Sequence, residues 1–127
     1  MSDAPLILHI DDEQAIRDIV ADTLQPAGFR VVGVERLVDG IQKALASKPA
    51  LILLDLHMPE GDGFEACAAL RALPELSEVP VVMLTGMRDP DHLKKAQRLG
   101  AMEILNKPFE PKQLVAAIRR VIAERKG

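Results

Sequence analysis

Short apolar runs alternate with longer amphipathic stretches along the chain. The runs are Leu6–Ile10 (LILHI), Arg30–Glu35 (RVVGVE), Ala50–Leu54 (ALILL), Val79–Leu84 (VPVVML) and Met102–Leu105 (MEIL). The first, third and fourth are almost unbroken, as strands buried on both faces should be; Arg30, Glu35 and Glu103 mark the second and fifth as edge strands. Between the runs lie helical patterns. Ile16, Ile19, Val20 and Leu24 share one face of a first helix, and Gly28 offers a left-handed stop. Leu37, Ile41, Ala44 and Leu45 line a second helix, which halts before Pro49. Asp62 and Glu65 have capping-box spacing at the start of a third. Asp89-Pro90 opens a fourth, closed by Gly100, and Glu110-Pro111 opens a fifth. That last helix carries Leu114, Val115, Ile118, Val121 and Ile122 on one face, with Arg119, Arg120, Arg125 and Lys126 near its end to complement the helix dipole. Regular βα alternation predicts an α/β fold: a doubly wound parallel sheet of five strands with five helices covering both faces. With no internal repeat, linker or low-complexity stretch, residues 1–127 are expected to form a single domain.

Composition narrows the function. A hydrophobic share of 48% and a charged share of 28% suit a folded soluble domain. The net charge of −3 argues against nucleic acid as a partner. With no Trp or Tyr and only Phe29, Phe64 and Phe109, base stacking is poorly supplied. Cys67 is the lone cysteine, so a reducing compartment is expected. Met1–Ile10 does not read as a signal peptide, and no stretch approaches the ~20 apolar residues of a membrane span. A cytoplasmic protein away from membranes is the expectation.

The informative positions are the strand ends. The first strand runs out into Asp11-Asp12, the third into Asp55, the fourth into Thr85-Gly86 and the fifth into Lys107-Pro108. Open α/β sheets bind ligands beyond the carboxyl ends of their strands, so these side chains are expected on one rim. Three acids crowded together call for a cation. Carboxylate oxygens without nearby thiolate select a hard ion, Mg²⁺ or its stand-in Mn²⁺. Asp55 can then serve as a nucleophile in aspartyl-phosphate chemistry, with the metal and Lys107 neutralising phosphoryl oxygens and Thr85 donating a hydrogen bond.

This arrangement resembles the receiver domain of bacterial two-component response regulators, of the single-domain chemotaxis-regulator type. The likeness runs from Leu6 to about Ala123. It implies a flavodoxin-like strand order, 2-1-3-4-5. It further implies that a histidine kinase or histidine phosphotransfer protein phosphorylates Asp55, and that the change is read by an unidentified downstream protein. Asp11, Asp12, Asp55 and the carbonyl of His57 would hold the metal, and the Lys107–Pro108 peptide would be cis. On this reading the chain is a signalling phosphoacceptor, a monomer or weak dimer, whose own chemistry is limited to self-catalysed phosphorylation and dephosphorylation. One departure concerns output. Many receivers carry a switching aromatic in the fifth strand, and Ile104 stands there.

Other residues have plainer readings. His9 is expected as a core histidine, His92 as a solvated helix residue and Cys67 as a small core residue of the third helix. The side chains of His57 and Met87, flanking the site, are expected to govern water access to the phosphoryl group. Two rivals stand against the phosphoacceptor reading. A haloacid-dehalogenase-like phosphatase expects an acid two residues after the nucleophile, where His57 stands. A receiver-like binding module that is never phosphorylated would ordinarily lack part of the acid–lysine set.

Overall fold

The apolar runs assemble into one parallel sheet, and their hydrophobicity sorts them within it. The computed structural model describes residues 4–58, 61–86, 94–95, 97–99 and 101–126. The strands are β1 (Leu6–Ile10), β2 (Arg30–Val34), β3 (Leu51–Asp55), β4 (Val81–Thr85) and β5 (Ala101–Asn106), in the order β2-β1-β3-β4-β5. Every residue of β1, β3 and β4 is buried, while β2 and β5 form the edges. Strand order and edge assignment match the expectation. An antiparallel pair of two-residue strands, His57–Met58 with Gly61–Asp62, follows β3.

Four helices are described: α1 (Gln14–Leu24), α2 (Leu37–Ser47), α3 (Gly63–Ala72) and α4 (Pro111–Lys126). The helix expected from Asp89 to Gly100 lies mostly outside the described residues, as do Met87 and His92. Strand alternation divides the core in two. Leu8, Ile10, Ile52, Leu54 and Met83 pack against α2 and α3 through Ala44, Cys67 and Leu70. Ile7, Leu51, Leu53 and Val82 pack against α1 and α4 through Val20, Leu24, Leu114, Ile118 and Val121. Cys67 is buried, as expected of a small core residue.

Helix ends follow local chemistry. Gly28 adopts φ +101° after α1, as its sequence position suggested. Lys48 takes a left-handed conformation, φ 49°, to end α2, because Pro49 disfavours helical geometry in the residue before it. Pro111 occupies the first turn of α4, where Glu110 N donates to Gln113 Oε1.

Two helix-face assignments need correction. Ile19 is 48% exposed and Leu45 37% exposed. Each lies at the margin of an apolar stripe broader than the strip of sheet it covers, so Val20 and Ala44 fill the core instead. The arginines of α4 also do more than match a dipole. Arg119 donates to the carbonyl of Ala27 at 3.1 Å, and Arg120 pairs with Glu103 of β5.

Candidate functional site

β1 and β3 are neighbours with Ile10 opposite Leu54, so the residues after them, Asp11 and Asp55, emerge side by side. Both are fully buried. Among the described residues, Asp11, Asp12, Glu13 and Asp55 each offer a carboxylate oxygen, and these atoms lie within 4.8 Å of one another. The loop after β5 brings Lys107 over them. Its Nζ lies 3.2 Å from Asp55 Oδ1, 3.5 Å from Asp11 Oδ2 and 3.8 Å from Glu13 Oε1. Thr85, ending β4, is buried at the same end of the sheet, and its carbonyl accepts a 2.7 Å hydrogen bond from Lys107 N. The Lys107–Pro108 peptide is cis, and Pro108 itself is exposed. Asp11, Asp12, Asp55 and Lys107 thus meet in one pocket, with the Thr85 backbone tied to Lys107 beside it.

The pocket is not a helix cap. Glu13, whose side chain makes no capping hydrogen bond, occupies the N-cap position of α1, and Asp11 Oδ1 accepts from Glu13 N, so capping does not account for Asp12. One ammonium facing four carboxylates leaves an excess of negative charge. The donor set is all oxygen, which suits a hard divalent cation.

Electrostatics inside the pocket follow from burial and crowding. Burial pushes the Asp11 carboxyl up, but His9, the backbone N–H of Glu13 and the charge of Lys107 together hold it below its ordinary value. Burial likewise disfavours the Lys107 ammonium, and Asp11 and Asp55 outweigh that, raising its pKa. Lys107 therefore stays charged at neutral pH.

Three residues near the pocket were not singled out as site residues in the sequence. Glu13 continues the acidic run and joins the cluster. Its signal was present in the three consecutive acids. His9 is a core histidine, as expected, yet it lies directly beneath Asp11 with Nε2 3.3 Å from Asp11 Oδ2. The period-two alternation of β1 puts positions 9 and 11 on one face. Arg17 donates from Nη1 to the Asp11 carbonyl at 2.6 Å, a contact without a local sequence signal. His57 begins the small antiparallel pair two residues after Asp55. Ile104 is partly buried against the α2/α3 core and helps line a cavity of about 550 Å³ with Glu103, Asn106, Gln113 and Arg120.

Known proteins share this arrangement. A family model described as the response regulator receiver domain matches residues 7–119. The transcriptional regulatory protein GltR of Pseudomonas aeruginosa is 36% identical over 116 residues, covering 91% of this chain and 48% of that protein. The KDP operon transcriptional regulatory protein KdpE of Escherichia coli is 39% identical over 113 residues, covering 89% and 49% respectively. The chain thus spans about half the length of these curated relatives. Among solved structures, the chemotaxis protein CheY4 of Vibrio cholerae superposes with a TM-score of 0.88 at 32% identity, covering 93% of this chain and 98% of that one. A putative response regulator from Chloroflexus aurantiacus gives a TM-score of 0.89 at 27% identity, covering 94% and 98%. With the family model spanning nearly all of the sheet and its helices, the chain belongs to the response regulator receiver domains, the phosphoacceptor switches of two-component signalling.

Proposed function

We propose that Asp55 is the phosphoacceptor and that residues 1–127 work as one receiver unit. The observation that carries this reading is Lys107 Nζ lying 3.2 Å from Asp55 Oδ1 inside a buried cluster of acids. A carboxylate at the end of an apolar strand is costly to bury unless charge compensates it, so its retention points to chemistry. Asp11, Asp12 and Asp55, with the carbonyl of His57, would hold Mg²⁺ or Mn²⁺. When bound, such an ion offsets the negative charge of a transferring phosphoryl group.

The chain's own groups do the remainder. One Asp55 oxygen attacks phosphorus, forming an acyl–phosphate bond as the N–P bond to the donor's histidine breaks and its electron pair returns to the imidazole. The Lys107 ammonium pairs with a phosphoryl oxygen, and the Thr85 hydroxyl donates to another. Burial of Asp55 limits water, so the adduct persists until water attacks it; His57 and Met87 would tune that access. A histidine kinase or histidine phosphotransfer protein supplies the phosphoryl group, and a downstream protein reads the changed surface. Because β5 offers Ile104 rather than an aromatic, the signal leaves either through shifts of backbone and helices or by another surface. The chain's own catalysis is limited to its phosphorylation and dephosphorylation. Among the described residues no helix is long and apolar enough to cross a membrane, in keeping with action in the cytoplasm.

The test is incubation of the purified chain with Mg²⁺ and acetyl phosphate, read by intact mass. One phosphate adduct is expected in the wild type and none in Asp55→Asn. An adduct that survives in Asp55→Asn would refute the assignment, and steady hydrolysis of unrelated phosphate esters would favour a phosphatase.

A further inference from the structure

A buried polar ring lies directly under the acidic pocket. His9 is in the middle of β1, flanked in the sheet by Gly33 of β2 and Leu53 of β3. It is fully buried, and every other residue of β1 is apolar. Apolar packing alone would be served better by another Val, Leu or Ile, which carry no polar atoms to satisfy. Neither ring nitrogen has a hydrogen-bond partner in this geometry, yet Nε2 lies 3.3 Å from Asp11 Oδ2, where a small ring rotation would form one. The approach fixes the sense of any bond formed there. An Nε2–H aims a proton at the carboxylate, whereas the other tautomer would aim a lone pair at it.

Asp11 is held at its other polar atoms as well. Its N–H donates to Val34 O at 3.0 Å, its carbonyl accepts from Arg17, and Oδ1 accepts from Glu13 N at 3.0 Å. Lys107 and His9 share Oδ2. The Arg17 stem lies against Gly33, where a Cβ would sit 3.0 Å from Arg17 Cδ and the arginine would have to give by a few tenths of an ångström. Gly33 lets the arginine stem cross β2 beside His9 while its guanidinium reaches the Asp11 carbonyl.

We infer that His9 is a positioning residue, donating its Nε2 proton to Asp11 Oδ2 and so orienting that carboxylate toward the pocket. The inference rests on the reading of Asp11 as a ligand for a divalent cation. A ligand-orienting hydrogen bond of this type typically changes metal affinity about 10–100-fold when removed. The comparison that separates positioning from packing is His9→Gln against His9→Leu. Glutamine places an amide donor near the position of Nε2, whereas leucine fills the volume with no donor.

The experiment has two readouts. Long-range ¹H–¹⁵N spectra of the metal-free protein report the ring tautomer, with His9 assigned by its loss in His9→Gln. The expected result is an Nε2-protonated ring whose signal moves when Mg²⁺ is added. Calorimetric titration with Mg²⁺ then compares the variants, with urea midpoints in EDTA confirming that each is folded. His9→Leu should weaken binding about tenfold or more, and His9→Gln should remain within about threefold of wild type. An Nδ1-protonated ring, a His9→Leu protein that binds Mg²⁺ like wild type, or a glutamine variant as weak as the leucine one would each overturn the inference. Failure of the wild type to bind Mg²⁺ would instead overturn the reading of the pocket on which it rests.

Discussion

Replacing Asp12 with asparagine should stabilise the metal-free protein while abolishing its response to magnesium. Asp12 is the partly exposed member of a cluster whose carboxylate oxygens lie within 4.8 Å of one another. Two like charges at that separation repel by about 0.9 kcal/mol in bulk water and by about 3.5 kcal/mol at an effective dielectric of ~20. The partial exposure of Asp12 favours the aqueous end of that range. Three acidic neighbours, reduced by salt and partly offset by Lys107, leave a net gain of about 1–2 kcal/mol on neutralising it. No capping bond is lost, because Glu13 rather than Asp12 holds the N-cap position of α1. Magnesium at about a hundred times its Kd should stabilise the wild type by about 2.7 kcal/mol and the variant by much less. The rank order therefore inverts: Asp12→Asn is the more stable protein in EDTA, and the wild type catches or passes it in Mg²⁺. Urea denaturation followed by circular dichroism is the assay, since the chain has neither Trp nor Tyr. An Asp12→Asn protein no more stable than wild type in EDTA, or equally stabilised by Mg²⁺, would refute the charge-crowding argument.

Burial holds His9 below its ordinary pKa of 6.5, so the unfolded chain takes up a proton there before the folded chain does. Stability in EDTA should fall as pH drops below 6.5, with a further loss near and below 3.8 from Asp11, and a His9→Leu curve should be flatter just below pH 6.5. Gly40→Ala places a Cβ 2.4 Å from Ile10 Cδ1, so it should destabilise by about 1–3 kcal/mol despite alanine's better helix propensity. Ile10→Val removes that Cδ1 and should recover part of the loss in the double variant, measurable as a coupling in thermal denaturation. Arg120→Ala breaks a pair with Glu103 whose arginine is half-exposed, and its urea midpoint should report a cost of about 1 kcal/mol or less.

The strand pattern and the strand ends were legible because both depend on local rules. A strand buried on two faces is apolar along most of its length, so β1, β3 and β4 announced themselves despite His9, and each polar residue that ended such a run had to emerge at the carboxyl rim. Asp11, Asp55, Thr85 and Lys107 could be brought together on that ground before any coordinates. Glu13 was visible too, as the third acid of its run. Tertiary structure decided what local rules cannot reach. Whether Ile19 and Leu45 touch the core depends on how wide a strip of sheet each helix covers. The environment of His9 depends on Gly33 in a different strand and on Arg17 crossing it. The partner of Arg120 is an edge-strand glutamate, and Gly40 makes room for the outer two carbons of the Ile10 side chain. Alternation along a strand says which face a side chain takes, but the distance to its neighbours comes from register, helix placement and packing, which exist only once the chain has closed on itself.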